Sequence, residues 1–410
     1  MKPRGRGVWN RWRLYLLSLG GALLAVMVFT AQGRSPAGPS VTVGLIAPLS
    51  GNSAASGEAI QRGMLLAMDE VNQAGGVLGR PLALVVRDVP NDPPAGVAAL
   101  RELVQEHAIV AIFGGIFSPV MLAQLEPIHQ LQLPLINAWG SLTAITHNGR
   151  TPNYAYRVAA NDEQADEFLA RYALSAVGAH RPGIIADTTA WGEANVAGLL
   201  TWFTALGVPA VGVERFDQGD TNMSSQLTRL QHMAADVLLL VAPPAEGAAI
   251  VRGMVTLNWQ VPVVSHWGIS GGRFATLAGF ENAEGILVLQ TFSFHGPLPP
   301  KAAAVLRAYH ARFGTHHINE VLAPVGVAHG YDGLHLLVQA IRQAQTTEGL
   351  QVRDALERLA PYNGLVKRYA PAFTPGRHDP LLVTDYLMAL SQGPLGPGPT
   401  ATHTTIKVRS

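Results

Sequence analysis

The sequence has no cysteine among its 410 residues. Disulfide bonds, cysteine-ligated zinc, thiol nucleophiles and lipid attachment through an N-terminal cysteine are therefore excluded. The HExxH, P-loop and GxGxxG motifs are also absent, so metalloprotease, phosphate and dinucleotide chemistry lack support. His316, His317 and Glu320 are close in sequence, but adjacent histidines on a helix point in different directions. We expect no metal and no cofactor.

Charged side chains are scarce, at 14% of residues, whereas 48% are apolar. This composition is typical of a globular protein, and 410 residues exceed what one core usually fills, so two domains are expected. Residues 1–33 hold five of the 29 basic residues and no acidic one, which leaves 24 basic against 28 acidic residues in the remainder. A mildly acidic chain without a basic stripe is not expected to bind nucleic acid.

Residues 1–33 have the pattern of an export signal. Basic residues precede an uncharged stretch of 18 residues, Leu14 to Ala31, and Ala31 and Gly33 offer the small side chains that signal peptidase requires. We expect cleavage and a periplasmic protein. The alternative is an uncleaved inner-membrane anchor, because the stretch is just long enough to span a bilayer. This segment is the only expected membrane contact, and residues 393–410 are expected to form a flexible tail.

Strand and helix patterns alternate along the rest of the chain. Residues 41–47 are β-rich, apolar residues recur at helical spacing through 58–72, and 81–86 is predicted as a second strand, which makes a βαβ unit. Strands are predicted again at 109–113 and 134–137, before a second series. The strands of that series are predicted at 183–187, 208–213, 237–241, 261–265 and 285–290. The alternation predicts an α/β fold with two parallel-sheet lobes.

Several residues follow predicted strand ends, where open α/β sheets bind ligands. Ser118 precedes Pro119, so serine is expected to cap the next helix, and the free N–H groups of a helix start attract carboxylates. Three of the seven tryptophans, Trp139, Trp191 and Trp267, follow strand ends in both lobes. A buried tryptophan is often plain core, but this shared position makes all three candidate walls of a ligand site.

Residues 268–272 (GISGG) match the G-x-S-x-G nucleophile elbow, with Asp332 and His335 downstream in hydrolase order. These two residues lie three apart in a predicted helix, however, and no HGGG-type oxyanion segment is present. A serine hydrolase using Ser270 is therefore the less favoured alternative to a protein without enzymatic activity. The structural interpretation of Ser270 is a helix cap.

Longer stretches resemble a known family. The most specific one, at residues 43–88, is VGLIAPLSGNSAASGEAIQRGMLLAMDEVNQAGGVLGRPLALVVRD. Others are FGGIFSPVMLAQ, INAWGSLTAIT, PNYAYRVAANDEQADEFLARYA and AHGYDGLHLLVQAI. From about Val41 to about Leu390 the chain resembles type I periplasmic binding proteins of the leucine/isoleucine/valine-binding kind, which serve ABC importers.

The resemblance implies two Rossmann-like lobes joined by a multi-strand hinge, the type I periplasmic binding protein clamshell. Helical patterns at 300–313 and 325–344 exceed what the second lobe needs, so the chain is expected to cross back to the first. The predicted N-terminal lobe is 41–157 with 289–368, and the predicted C-terminal lobe is 158–288 with 369–392.

The resemblance also implies site residues. In relatives that bind amino acids, a serine, a small residue and a hydroxyl hold the ligand carboxylate, and an aromatic residue of the second lobe closes over the ligand. These roles fall on Ser118, Gly140, Ser141 and Trp191. The acid that usually meets the ammonium group is absent from the corresponding segment 266–268.

An ammonium group without an anionic partner is costly in a closed cleft, so an ordinary α-amino acid is disfavoured. The walls Trp139, Trp191 and Trp267 favour a flat, apolar or amide-bearing ligand such as an aromatic acid. The expected function is capture of a small organic ligand, of amino acid, amide or aromatic acid type, and its delivery to an ABC permease. A sensor that reports occupancy to a membrane receptor shares this mechanism and is the alternative.

Overall fold

The computed structural model describes residues 38–321 and 323–391. The predicted export signal (1–33) and the predicted tail (393–410) lie outside the described residues. Within the described ranges, no helix combines the length and apolar character needed to cross a bilayer.

The first sheet contains five strands, β1 (Val41–Ala47), β2 (Leu82–Asp88), β3 (Ile109–Gly114), β4 (Leu135–Asn137) and β5 (Ala155–Arg157). They are all parallel and run in the order β2-β1-β3-β4-β5. Central strands are apolar on both faces because helices cover both sides of a parallel sheet. Five of the six residues of β3 are buried. The direction of chain progression reverses at β1, so a crevice opens between the carboxyl ends of β1 and β3.

The second sheet also has a parallel core. Its strands are β6 (Pro182–Asp187), β7 (Gly212–Phe216), β8 (Val237–Val241), β9 (Val263–Ser265), β10 (Leu287–Gln290) and, after a small hairpin of β11 (Tyr362–Asn363) and β12 (Arg368–Tyr369), β13 (Leu387–Leu390). The order is β13-β10-β9-β8-β6-β7, and only β13 is antiparallel to its neighbour. The predicted α/β fold with two parallel-core sheets is confirmed.

Helices cover both sheets. They are α1 (Ala54–Gln73), α2 (Pro93–Glu106), α3 (Ser118–Gln130), α4 (Asp162–Tyr172), α5 (Ala190–Ala205), α6 (Ser224–His232), α7 (Pro244–Thr256), α8 (Phe274–Ala278), α9 (Phe280–Ala283), α10 (Pro300–Phe313), α11 (Pro324–Ala344) and α12 (Gly349–Leu356). The late helix α11 packs closely on α1, because a β-carbon at Gly63 would lie 2.1 Å from Val327 O and one at Gly330 would lie 2.3 Å from Ile60 O. This contact returns the chain to the first lobe.

Within residues 38–321 and 323–391 the chain crosses between the lobes three times, after β5, after β10 and before β13. Residues just before the third crossing lie against the first lobe: His378 stacks on Tyr156 with ring centroids 4.0 Å apart, and Asp379 pairs with Arg157. How these crossing segments divide between the lobes stays a prediction.

The strand predicted at 208–213 is misplaced. The structure has β7 at Gly212–Phe216, because residues 207–211 are needed to turn the chain after α5. Gly207 adopts φ +76°, and Val208 N–H bonds back to Phe203 O. Pro209 has no N–H with which to pair, so the β-rich composition of 208–211 belongs to a turn.

Candidate functional site

A pocket lies between the two lobes, at the carboxyl ends of strands from both sheets. It is lined by Ser53, Asn91, Ile116, Phe117, Ser118, Pro119, Trp139, Ser141, Asp187, Thr189, Trp191, Pro243, Pro244, Trp267 and Gly268. The cavity encloses about 60 Å³. Five of the six predicted site residues are therefore brought together, and the sixth, Gly140, lies directly beside them. Strand ends at the crevice of an open α/β sheet are where such folds bind ligands.

The first-lobe side of the pocket presents two hydroxyls. Helix α3 begins at Ser118, so Phe117 is the N-cap and the predicted capping role of Ser118 is wrong. The helix starts at Ser118 and not at Pro119 as predicted, because Phe117 O already accepts the Met121 N–H, at 3.2 Å. Ser118 Oγ instead accepts a long hydrogen bond from Leu142 N–H, at 3.4 Å. That bond ties the start of α3 to the loop that carries Ser141.

Gly140 has a packing role in this loop. A β-carbon there would lie 2.0 Å from Met121 Cε and 3.2 Å from Ser118 Oγ, so a side chain at this position would have to displace the end of Met121 and crowd Ser118. Its carbonyl accepts hydrogen bonds from Asn137 Nδ2 and Arg157 Nη1. Gly140 therefore positions Ser118 and Ser141 from behind the pocket wall.

Arg157 holds the same loop from inside the protein. This fully buried side chain, at the end of β5, donates to Leu142 O at 2.9 Å and to Thr146 Oγ at 2.8 Å, and its Nε lies 2.6 Å from Asp379 Oδ1. Burial alone would raise the pKa of Asp379, but the Arg157 charge and hydrogen bonds from His147 and Thr146 lower it to about 2. The ion pair therefore fixes the backbone on either side of Ser141.

The second-lobe side presents Asp187, a carboxyl group that the sequence analysis did not assign to the site. Asp187 Oδ1 accepts from Thr189 N–H at 3.0 Å and Thr189 Oγ at 2.5 Å, which turns the chain from β6 into α5. Burial raises the pKa of Asp187. Its position as the last residue of a buried strand is the signal in the sequence, whereas the family resemblance places the acid in the segment after β9.

The tryptophans join the two lobes. Trp139 of the first lobe and Trp267 of the second lie with ring centroids 5.4 Å apart and planes tilted by 34°. Trp191 Nε1 of the second lobe donates to Ser141 Oγ of the first at 3.0 Å. Both contacts cross the cleft, so the lobes are closed on each other with one apolar wall and a hydroxyl-bearing edge between them.

His266 lies after β9, where the family resemblance implies an acid. Its Nε2 lies 3.1 Å from Asp162 Oδ1, and both side chains are buried. The ring packs edge-on against Trp191 and Trp267, at centroid distances of 5.2 and 6.2 Å. A carboxylate is therefore present here, but it belongs to α4 and pairs with the histidine behind the tryptophan wall.

The three residues of the hydrolase alternative, Ser270, Asp332 and His335, do not form a catalytic triad. Ser270 Oγ donates to Trp267 O at 2.6 Å within the 3₁₀ turn Trp267–Gly271, so it is neither an elbow nor a helix cap. Asp332 accepts from Leu365 N–H at 2.7 Å, and His335 Nε2 lies 3.2 Å from Glu70 Oε2. Each of the three side chains is engaged with a different partner.

The histidines at 316 and 317 lie in a turn in which Glu320 contacts the backbone of both residues. The N–H groups of His316 and His317 both bond to Glu320 Oε2. Throughout residues 38–321 and 323–391, no group of three or more histidine, aspartate or glutamate side chains is arranged to hold a metal ion.

Two parallel-sheet lobes that close on a pocket at their strand ends define a clamshell ligand-binding protein. A family model described as periplasmic binding protein matches residues 40–388, and the chain belongs to that family, in its type I, leucine/isoleucine/valine-binding branch. The Leu/Ile/Val-binding protein BraC3 of Rhizobium johnstonii is 26% identical over 289 residues, which cover 70% of this chain and 77% of the relative.

Solved structures share the fold. A type 1 periplasmic binding protein from Bordetella pertussis matches with a TM-score of 0.80 at 24% identity, over 90% of this chain and 100% of that one. A solute-binding protein of an ABC transporter from R. palustris, in complex with 4-hydroxybenzoate, matches with a TM-score of 0.75 at 18% identity, over 90% and 96% of the two chains. The family and these neighbours are solute-binding proteins rather than enzymes.

Proposed function

We propose that this protein captures a small organic ligand, of amino acid, amide or aromatic acid type, in the interlobe cleft and delivers it to an ABC importer. The observation that carries the proposal is the pocket itself, with Ser118 and Ser141 on one lobe, Trp191 and Trp267 on the other, and Trp139 between them. No covalent step is part of the function. Export by residues 1–33 into the periplasm belongs to the same proposal.

Closure of the cleft is the functional event. A ligand that contacts both lobes binds the closed form more tightly than the open form, and this differential affinity shifts the protein toward closure. The Trp191 to Ser141 hydrogen bond exists only when the lobes meet. The closed surface is then what an importer distinguishes from the empty protein.

The side chains that line the pocket indicate the class of ligand. The Trp139 and Trp267 rings offer a broad apolar face, which suits a planar or branched apolar body. Ser118 and Ser141 suit a carboxylate or amide at the other end. The named ligands of the relatives, the branched-chain amino acids and 4-hydroxybenzoate, both have this division into an apolar body and a carboxylate.

Trp191 of the second lobe provides the first test. Trp191→Phe keeps an aromatic ring but removes the hydrogen bond to Ser141, so we expect about 5-fold weaker binding, and Trp191→Ala should weaken it about 30-fold or more. The measurement is a thermal-shift screen of amino acids, amides and aromatic acids, followed by calorimetry of the compounds that raise the melting temperature. Trp202→Phe, on the same helix outside the pocket, is the matched control and should bind normally. No response of the wild-type protein to any compound class would contradict the proposal.

Asp187 decides between the ligand classes through pH. A compound with an ammonium group, such as isoleucine, needs the ionised carboxylate, so its affinity should fall as the pH drops through the raised pKa of Asp187. A carboxylic acid without an amine, such as 4-hydroxybenzoate, should bind more tightly over the same range because charge repulsion disappears. Binding is titrated by calorimetry from about pH 4, near the ordinary pKa of aspartate, up to about pH 8.

Asp187→Asn should remove the pH dependence in both cases. We expect it to weaken an ammonium compound by about 10-fold or more and to leave a simple aromatic acid unchanged or tighter. The control is Asp217→Asn, an exposed aspartate after the neighbouring strand β7. A pH profile that is identical in wild type and Asp187→Asn would remove Asp187 from the site.

A further inference from the structure

The GISGG segment, residues 268–272, has a role in the structure that is unrelated to nucleophilic chemistry. Residues 268–271 belong to the 3₁₀ turn Trp267–Gly271 after β9, Gly272 follows the turn, and the segment contacts the first lobe. Ser56, a fully buried residue in the first turn of α1, donates a hydrogen bond from its Oγ to Gly271 O. This bond joins the lobes at a point separate from the Trp191 to Ser141 contact.

Two of the glycines are required by this contact. A β-carbon at Gly271 would lie 2.5 Å from Ser56 Oγ, and one at Gly272 would lie 2.2 Å from the backbone oxygen of Asn52. Ser56 and Asn52 both belong to the first lobe. Any side chain at these two positions would therefore collide with the opposite lobe in the closed form.

The contact lies next to the pocket. The same β-carbon at Gly271 would be 3.5 Å from Cζ2 of Trp139, which is part of the apolar wall. Ser53, one residue beyond Asn52, lines the pocket itself. A change in how closely the turn approaches α1 therefore changes the enclosure of the site.

We propose that residues 268–272 are a closure latch, in which the bare backbone of Gly271 and Gly272 docks on Ser56 and Asn52 and sets how far the cleft closes. The latch rests on the proposed function, because it is useful only to a protein that closes on a ligand. It assigns the glycines of the motif to lobe docking and leaves Ser270 without a part in binding.

Steric variants test the latch by affinity. Gly271→Ala and Gly272→Ala should weaken binding of isoleucine or 4-hydroxybenzoate, whichever the wild type binds, by about 10-fold or more, since overpacking opposes closure. The chemical unfolding midpoint of ligand-free Gly271→Ala should change little, because both residues that its β-carbon would approach, Ser56 and Trp139, belong to the opposite lobe. Ser56→Ala removes the colliding oxygen, so the Ser56→Ala, Gly271→Ala double variant should bind no worse than Ser56→Ala alone. Ser270→Ala is the control and should bind normally.

A cross-link tests lobe contact without any ligand. The built β-carbon of residue 271 lies 3.7 Å from Ser56 Cβ, within the range of about 3.5–4.5 Å found for disulfides. The chain has no native cysteine, so Ser56→Cys with Gly271→Cys provides a single thiol pair. We expect it to oxidise to a disulfide, seen by non-reducing electrophoresis and mass spectrometry, whereas Ser56→Cys with Ser270→Cys should not.

The outcomes separate the latch from the proposed function. Bound compound that is trapped by oxidation and released by reductant supports both. A cross-link in a protein that binds nothing in the screen supports the lobe contact and overturns the proposed function. Normal binding by the wild type, with no cross-link at 56 and 271 although both single thiols react with maleimide, overturns the latch.

Discussion

Replacing Arg157 with methionine is expected to lower the free energy of unfolding by about 3–5 kcal/mol, because the change leaves a buried carboxylate without its cation. Arg157 is fully buried, its Nε lies 2.6 Å from Asp379 Oδ1, and it donates to carbonyls on both sides of Ser141. Methionine fills similar volume, so lost packing is a minor part of the effect. The measurement is urea unfolding of wild type and variant at pH 7, with equal slopes as a check on two-state behaviour.

The pH dependence of stability identifies the cause. In the wild type the pKa of Asp379 is about 2 against an ordinary value of 3.8, so the stability that its ionised form contributes is complete above about pH 4. It is lost as the pH falls toward about 2, and the pair accounts for about 2 kcal/mol of that loss. Without Arg157, burial raises the pKa of Asp379 instead, so acidification should protonate the unpaired carboxylate and reduce the destabilisation of the variant. The gap between the two proteins should therefore narrow at low pH.

Asp379→Asn is the matched control for the same pair. It removes the carboxylate but keeps a polar group beside Arg157, so the variant should lack the part of the acid-induced loss of stability that protonation of Asp379 causes in the wild type between about pH 4 and 2. A loss below about 1 kcal/mol in Arg157→Met, with an acid profile like that of the wild type, would show that the ion pair is not what fixes the loop.

The fold was predictable because its signals are local and repeated. Apolar runs such as 237–241 match strand β8, and the pattern at 300–313 matches helix α10 residue for residue. The predictions of secondary structure fail where the composition of a segment favours one structure and its capping or turn residues impose another. Helix α2 (Pro93–Glu106), which starts with two prolines capped by Asp92, was not predicted, and the β-rich residues 208–211 form a turn because the chain must reverse after α5.

The residues of the candidate site show the same contrast between local signals and contacts that are remote in sequence. Ser118 and the three tryptophans were predicted because they follow strand ends, and Ser141 because of the family resemblance. All five line one pocket, because the carboxyl ends of parallel strands meet at one edge, and their part in binding stays a proposal. Arg157, and the pairing of His266 with Asp162, depend on contacts between segments that are remote in sequence, so no spacing in the chain reports them. The docking of Gly271 on Ser56, 215 residues away, likewise leaves no signal in the sequence.

Removing the Trp267 ring should abolish tight binding with a smaller effect on the ligand-free protein. Trp267 is 1% exposed and belongs to the second lobe, yet its ring contacts two first-lobe residues, Trp139 at 5.4 Å and His329 at 5.7 Å. Burial lowers the pKa of His329 to about 4, so this neighbour is neutral and the wall is apolar. Trp267→Ala should therefore cost the closed form about 3–5 kcal/mol, which corresponds to a Kd raised about 100-fold or more.

Trp259 provides the comparison that separates closure from folding. It is 7% exposed and packs in the core of the second lobe, away from the cleft. Trp259→Ala should lower the free energy of unfolding by about 3–5 kcal/mol and leave Kd unchanged. Trp267→Ala should raise Kd with a smaller effect on the free energy of unfolding, because opening of the cleft would separate its ring from Trp139 and His329. Calorimetry and urea unfolding of both variants give the two quantities. If Trp267→Ala behaved like Trp259→Ala, the ring would be ordinary core of its own lobe and the cleft would close on another wall.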